Sequence, residues 1–131
     1  MNEKIQFLLP CDFANVDKSG KMSINGVFSD IQADSVPIIG VFYVAGILTL
    51  TGSLPPPVTL DIFDSEKKVI STNTLRLNTE LPTNTSTAFK KLNLLARVSA
   101  TFNEIGIYGV RVILNDKTIF EDTNFFRLIQ K

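Results

Sequence analysis

Short apolar runs recur roughly every ten to fifteen residues along this chain, and turn-forming residues separate them. No segment has the spacing of three to four residues between apolar positions that indicates an amphipathic helix. Apolar and polar residues alternate in several runs, as in Val58–Ile62 and Tyr108–Leu114, and this period of two is typical of strands with one buried face. The pattern predicts an all-β fold, an antiparallel β-sandwich of about seven to nine strands.

The length of the chain, 131 residues, fits one domain, and we predict a single domain over residues 1–131. A chain of this size buries roughly two-thirds of the surface that its unfolded form exposes. Apolar residues make up 44% of it, so a core can form without metals or disulfides.

The longest predicted strand is Ile38–Thr51. Its near-continuous apolarity predicts a strand that is covered on both faces or that packs against a partner. The predicted strand Met22–Ile31 is interrupted at Gly26, where we expect a bulge or a close approach of the backbone. The other predicted strands are Lys4–Leu9, Met22–Ile31, Val58–Ile62, Lys68–Thr72, Leu92–Val98, Tyr108–Leu114 and Thr118–Ile129.

Turn residues mark the hairpins. Asp17–Lys21 contains Gly20, which can adopt the positive φ of a tight turn. Asp64–Lys67 and Asn115–Lys117 are predicted to close two further hairpins. The polar segment Thr79–Thr87 has no periodicity and is predicted to be a mobile loop.

The chain contains no histidine and one cysteine, Cys11. It therefore lacks the commonest general base and metal ligand, and it cannot form an intrachain disulfide. Cys11 has no histidine to activate it, and we predict that it is a partly buried small residue. A single cysteine fits a reducing compartment, so we predict a cytoplasmic location.

The charges balance at 13 basic and 13 acidic residues. A neutral chain without clustered Lys and Arg is not expected to bind nucleic acid. The apolar segment Val36–Leu50 is too short for a membrane-spanning helix and contains Pro37 and two glycines. We therefore predict neither nucleic acid nor membrane as a partner.

Acidic residues are the remaining candidates for chemistry. A glycosidase uses two carboxylic side chains, and two pairs of acids could supply them: Asp61 with Asp64, and Asp12 with Asp17. Asp12, Asp30 and Asp34 could together hold calcium. The competing interpretation, which we prefer, is that these are solvated turn acids. No catalytic, cofactor-binding or metal-binding residue is therefore assigned, and no enzyme activity or cofactor is predicted.

Two early segments, Cys11–Asp17 (CDFANVD) and Gly20–Phe28 (GKMSINGVF), resemble a family of uncharacterised bacterial proteins, a domain of unknown function. Similar segments follow at Val36–Pro37, Phe42–Val44, Gly106–Tyr108 and Asn115–Lys117. The resemblance spans nearly the whole chain and implies an immunoglobulin-like β-sandwich. It carries no known catalytic residue.

Gly106-x-Tyr108 also resembles the tyrosine corner of immunoglobulin-like sandwiches, in which the tyrosine hydroxyl bonds to nearby backbone. This implies a structural role for Tyr108.

Two functions remain open. The first is a non-enzymatic protein-interaction or structural module that binds a protein partner or itself, because the Val36–Leu50 segment has more apolar residues than one core face needs. The alternative is a small-ligand or calcium-binding domain that uses loops at one end of the sandwich, near Asp12, Asp17, Asp30 and Asp34. We favour the first.

Overall fold

A computed structural model describes residues 3–51, 57–75 and 90–131. These residues form nine β-strands and no helix, which confirms the prediction of an all-β fold. Accordingly, no helix among them could cross a membrane. The strands are β1 (Glu3–Val16), β2 (Met22–Val27), β3 (Asp30–Ala33), β4 (Ile38–Leu50), β5 (Val58–Phe63), β6 (Val69–Leu75), β7 (Lys90–Phe102), β8 (Gly106–Leu114) and β9 (Lys117–Gln130).

The strands form two sheets. The order is β2-β1-β4-β7 in the four-stranded sheet and β3-β9-β8-β5-β6 in the five-stranded sheet. Neighbouring strands are antiparallel with one exception, because β3 pairs with β9 in parallel, with Asp30 opposite Arg127. The prediction of a wholly antiparallel fold is therefore wrong at this pair. The short β3 arrives from the other sheet and runs in the same direction as β9.

The predicted strand Met22–Ile31 is in fact two strands in different sheets. The chain leaves the four-stranded sheet after Val27, and Phe28 packs between Phe42 and Phe126. The carbonyl of Ser29 then accepts a hydrogen bond from the Arg127 amide at 2.9 Å, which starts the pairing with β9. The segment Met22–Ile31 thus passes from the four-stranded sheet to the five-stranded sheet.

The first strand is longer than predicted and continues through Pro10 to Val16. Pro10 has no amide hydrogen, but its carbonyl accepts from the Phe28 amide at 3.2 Å. The strand can therefore pass through a proline without ending there.

A shared core lies between the two sheets. One face of β4 contributes Phe42, Val44 and Leu48, and the opposite strands contribute residues such as Val110 and Leu128. Aromatic rings fill one end of this core, where the centroids of neighbouring rings lie 4.9–6.5 Å apart. The predicted inward-facing rows are confirmed as buried: Val58, Leu60, Ile62, Leu92, Leu94, Ala96, Val98, Tyr108, Val110, Val112 and Leu114.

The predicted turns are confirmed. Gly20 has φ of +88° in the Asp17–Lys21 turn. Asn115 and Asp116 both have positive φ, at 53° and 62°, which fits a two-residue hairpin turn. The predicted loop Thr79–Thr87 lies outside the described residues.

The tyrosine at the start of β8 makes the backbone contact that the sequence predicted. The Tyr108 hydroxyl donates to the Glu104 carbonyl at 2.6 Å. Its ring lies in the core, 4.9 Å from Phe102 and 5.6 Å from Phe126 between centroids. The hydroxyl bond therefore ties the β7–β8 corner to the core.

Candidate functional site

The acids that the sequence singled out for calcium are not gathered into one site. Asp30 pairs with Arg127 at 2.9 Å. Asp17 accepts three hydrogen bonds inside its own turn, from the Ser19 amide and hydroxyl and from the Lys21 amide. These bonds, the Ser19 hydroxyl first, lower the pKa of the Asp17 carboxyl. Among residues 3–51, 57–75 and 90–131, no group of three or more acids, cysteines or histidines could hold a metal ion.

The acid pair on the β5–β6 hairpin has structural contacts. Asp61 is buried, and its carboxylate accepts from the Thr72 hydroxyl at 2.8 Å. Asp64 accepts from the amides of Glu66 and Lys68, both at 2.9 Å, and so closes the turn. The interpretation as solvated turn acids is wrong for Asp61, because neighbouring strands cover it, and it fits Asp64.

Cys11 is fully buried rather than partly buried. It lies where β1 leaves β4, since the last β1–β4 pair is Cys11 with Tyr43. Burial raises the pKa of the Cys11 thiol. A buried, protonated thiol is a poor nucleophile.

A cleft of about 160 Å³ lies beside the β5–β6 turn. Its lining includes Asp64, Glu66, Lys68 and Glu104, and Tyr108 reaches it. Burial raises the pKa of the Tyr108 hydroxyl, which already donates to the Glu104 carbonyl. The cleft is therefore polar, and Lys68 supplies a positive charge among its acids.

The side of the four-stranded sheet that faces away from the shared core differs from the rest of the surface. We call it the outer face. On β4 it carries Ile39 and Val41, which are 70% and 52% exposed. Their cross-strand neighbours on β7 are Thr101 and Ser99. Two large β-branched side chains thus lie side by side in solvent, on the part of β4 that pairs with β7 and lies beyond its pairing with β1.

A hairpin covers the next part of the outer face. We call residues Asp12–Val27, the second half of β1 with its turn and β2, the strap. Ala14 of the strap is buried with Cys11 and Ala45. At the tip of the strap, the Gly20 carbonyl accepts from the Asn93 side chain of β7 at 3.0 Å. The strap therefore crosses β4 and reaches β7.

Partly buried residues complete the cluster under the strap: Met22, Ile24, Tyr43 and Leu95. Tyr43 belongs to this outer cluster, with its ring 5.2 Å from the Phe13 ring between centroids. Its place follows from strand alternation, because Phe42 and Val44 face the shared core.

The opposite surface, on the five-stranded sheet, is charged and paired. Arg111 donates to Glu121 at 2.8 Å, and Lys67 approaches the same carboxylate at 3.5 Å. The Arg111 hydrogen bond lowers the pKa of the Glu121 carboxyl. The Arg111 guanidinium also lies 4.8 Å from the centre of the Phe63 ring and covers it. This surface has the composition of an ordinary solvated face.

The sequence predicted an excess of apolar residues in the segment that contains Ile39 and Val41. It did not predict that these two side chains lie on the outer face of the sheet. It did not predict the strap. Gly26 was the available signal: its φ is +70°, and a Cβ there would meet the Asp12 carboxylate. The close approach at Gly26 is thus one to the Asp12 side chain, and the β1–β2 register continues without a bulge there.

Comparison with known proteins gives one family. A model described as "Family of unknown function (DUF6941)" matches residues 6–123. A search of curated proteins found no match. Because the description names no source and no fold, the bacterial origin and the immunoglobulin-like class stay predictions.

Proposed function

The chain belongs to the family of unknown function DUF6941, and we propose that it is a non-enzymatic protein-interaction module that binds a protein partner or a second copy of itself. The exposed Ile39 and Val41 of the outer face would form the centre of this contact.

The exposed pair on β4 carries the proposal. Ile39 and Val41 lie on the end of β4 that pairs with β7 alone, beyond the last β1–β4 pair at Tyr43, and both side chains are more than half exposed. The fully buried core of an interface is more apolar than the rest of a protein surface, while isolated exposed apolar residues are ordinary. Two adjacent residues that are at least half exposed, next to the partly buried Tyr43, form a patch rather than an isolated residue.

Strand order supports the immunoglobulin-like class. In that class strands C, F and G are neighbours in one sheet, and strands B and E are neighbours in the other. Here β5, β8 and β9 are neighbours, as are β4 and β7. The bond from the Tyr108 hydroxyl to the Glu104 carbonyl corresponds to the tyrosine corner. Domains of this class commonly serve recognition, although a fold alone does not determine a function.

The contacts of the candidate residues support a non-enzymatic role. Asp17, Asp61 and Asp64 accept hydrogen bonds within the fold, and Cys11 is buried with a raised pKa. The sequence offers no histidine to act as a base. The free thiol of Cys11 is also consistent with a reducing compartment, and we propose a cytoplasmic location on that ground.

The alternative, a small-ligand or calcium-binding domain, has one observation in its favour, the polar cleft beside the β5–β6 turn. Asp64, Glu66 and Lys68 give this cleft charges of both signs, which suits a small polar ligand. A thermal-shift measurement distinguishes the two functions, because a ligand of the folded state raises the melting temperature. A rise with millimolar calcium that Glu104→Gln abolishes would favour the alternative, whereas an unchanged melting temperature would reject calcium.

The interaction itself is tested by replacing the exposed pair. We expect the wild type to associate in sedimentation velocity over a wide concentration range, and the double variant Ile39→Ser/Val41→Ser to stay monomeric. The matched control is Val69→Ser/Ile107→Ser, which removes two apolar residues, 41% and 42% exposed, from the five-stranded sheet. The control should associate like the wild type.

If the partner is another protein, affinity capture from the source lysate should recover a protein that the wild type and the control bind and that the Ile39→Ser/Val41→Ser variant loses. The proposal would be rejected by a wild type that is monomeric at every concentration and that captures nothing in this pattern. Circular dichroism of all variants verifies that the serines leave the fold intact.

A further inference from the structure

The strap is held to the outer face by small side chains. The fully buried members of the cluster beneath it are Cys11, Ala14 and Ala45. The larger apolar residues there, such as Ile24 and Leu95, are only partly buried. Burial of small side chains removes little apolar surface from water, so this contact stabilises the strap far less than the shared core stabilises the sheets.

The polar hold on the tip of the strap is also slight. Among the hydrogen bonds of the described residues, the Asn93 side chain to the Gly20 carbonyl is the side-chain bond that links the strap to β7. The turn itself is closed internally by the Asp17 carboxylate and by the Gly20 amide, which donates to the Asp17 carbonyl. The hairpin can therefore keep its own bonds when its tip leaves the sheet.

The base of the strap is fixed on both of its strands. Cys11 pairs with Tyr43 of β4 and with Val27 of β2. Immediately after the strap, Phe28 inserts between rings of the core. Gly26, with its positive φ, lies beside this base. Both strands of the strap are thus held at the same end, at Cys11 and Val27, and the strap can rotate about this end as about a hinge.

The outer edge of the strap has no strand beside it among residues 3–51, 57–75 and 90–131. In the described part of the chain β2 pairs with β1 alone and is an edge strand. Its residues Ser23, Asn25 and Val27 are exposed. Within the described part of the chain, no second β-ladder on β2 therefore opposes a movement of the strap away from β4 and β7.

We propose that the strap is a hinged cover that opens about the Cys11–Val27 base while both sheets stay folded. Opening uncovers Ala45, Leu95 and the Cys11 thiol, and Tyr43 lies between this cluster and the exposed Val41 along the same face of β4. The apolar outer face then becomes continuous. Few buried apolar contacts and exposed backbone are the general marks of segments that open locally, below the free energy of global unfolding.

The native thiol reports this motion without any engineered label. Cys11 is the single cysteine of the chain and is fully buried with the strap closed. We expect Ellman's reagent to label it at a rate that is independent of denaturant at low concentration, because local opening exposes little surface. The amide exchange rates of residues 12–24 should likewise be independent of denaturant at low concentration. The amides of β4 and β8 should exchange more slowly.

The Asn93 bond gives the decisive variant. Asn93→Ala should raise the thiol labelling rate about fivefold, as expected for the loss of one hydrogen bond. Asn124→Ala is the matched control, since Asn124 is an exposed residue on β9 of the other sheet. The control should label at the wild-type rate.

A labelling rate that follows global unfolding at every denaturant concentration would overturn the proposal, and so would equal rates in Asn93→Ala and wild type. Circular dichroism distinguishes local opening from unfolding in each variant. The strap proposal does not depend on the interaction proposed above, because a monomer without a partner would still show local opening.

Discussion

The two faces of β4 carry hydrophobic clusters of very different kinds. Towards the shared core, Phe42 contacts Phe28, Phe102 and Phe126, with centroids 5.2–6.5 Å apart. Away from it, the fully buried residues of the cluster under the strap are all small, and the larger residues packed against them are only partly buried. Interlocked aromatic rings bury large areas and have few alternative packings, whereas alanines and a cysteine bury little. One strand thus supports a rigid layer and a layer that can yield.

The largest expected effect tests the rigid layer. Leu94 of β7 is fully buried in the shared core. Leu94→Ala should lower the free energy of unfolding by about 3 kcal/mol, through lost apolar burial and the cavity that remains. Urea denaturation followed by circular dichroism measures it. A cost below about 1 kcal/mol would contradict the difference between the two layers, because it would mean that the core collapses around the cavity.

The neighbouring leucine tests the yielding layer with the same chemical change. Leu95 points to the outer cluster and is partly buried. Leu95→Ala should cost about 1 kcal/mol in global stability, because less surface returns to water, and it should accelerate labelling of Cys11. Equal costs for Leu94→Ala and Leu95→Ala would remove the contrast between the faces.

A smaller effect is expected at the corner before β8. Tyr108→Phe keeps the ring in the core and removes the hydroxyl that donates to the Glu104 carbonyl. We expect a loss of about 1 kcal/mol in unfolding free energy, measured in urea. Because this contact belongs to the rigid layer, the labelling rate of Cys11 in native conditions should not change. Faster labelling of Cys11 in Tyr108→Phe would show that the β7–β8 corner and the strap are energetically coupled.

The smallest effect is expected from acid. The hydrogen bonds to the Asp17 carboxylate lower its pKa in the folded state, so its contribution is present above the unfolded pKa of 3.8 and is lost as pH falls through the lower folded value. Below pH 3.8 we therefore expect the protection of the strap-turn amides, measured relative to their intrinsic exchange rates, to fall before the protection of β4 falls. In Asp17→Asn, which keeps an acceptor without the titration, this extra acid dependence should disappear.

Local chemistry made the turns and alternating strands predictable. Gly20 and the Asn115–Asp116 pair favour positive φ, and the Tyr108–Leu114 alternation follows directly from the two faces of a strand. The split of Met22–Ile31 was not predictable in this way, because the apolar pattern does not state which sheet a strand joins. The sequence pattern predicts that Phe28 is part of a strand, yet its ring packs between the two sheets, against Phe126.

The candidate surface was predictable only in part. Apolar excess marked the segment that contains Ile39 and Val41, but their exposure depends on how far the strap extends over β4. The burial of Asp61 depends in the same way on neighbours that are distant in sequence, such as Arg111 opposite it on β8. Tertiary contacts of this kind leave no local signature.

The pairing of β3 with β9 has a consequence for synthesis on the ribosome. Asp30 and Arg127 meet across 97 positions of the chain. The five-stranded sheet therefore cannot be completed until β9 has emerged from the exit tunnel. Until then Ala33 and the rings around Phe42 lack the covering that β9 provides, so this part of the core stays exposed. Topologies dominated by such distant pairs fold slowly, on the order of milliseconds to seconds.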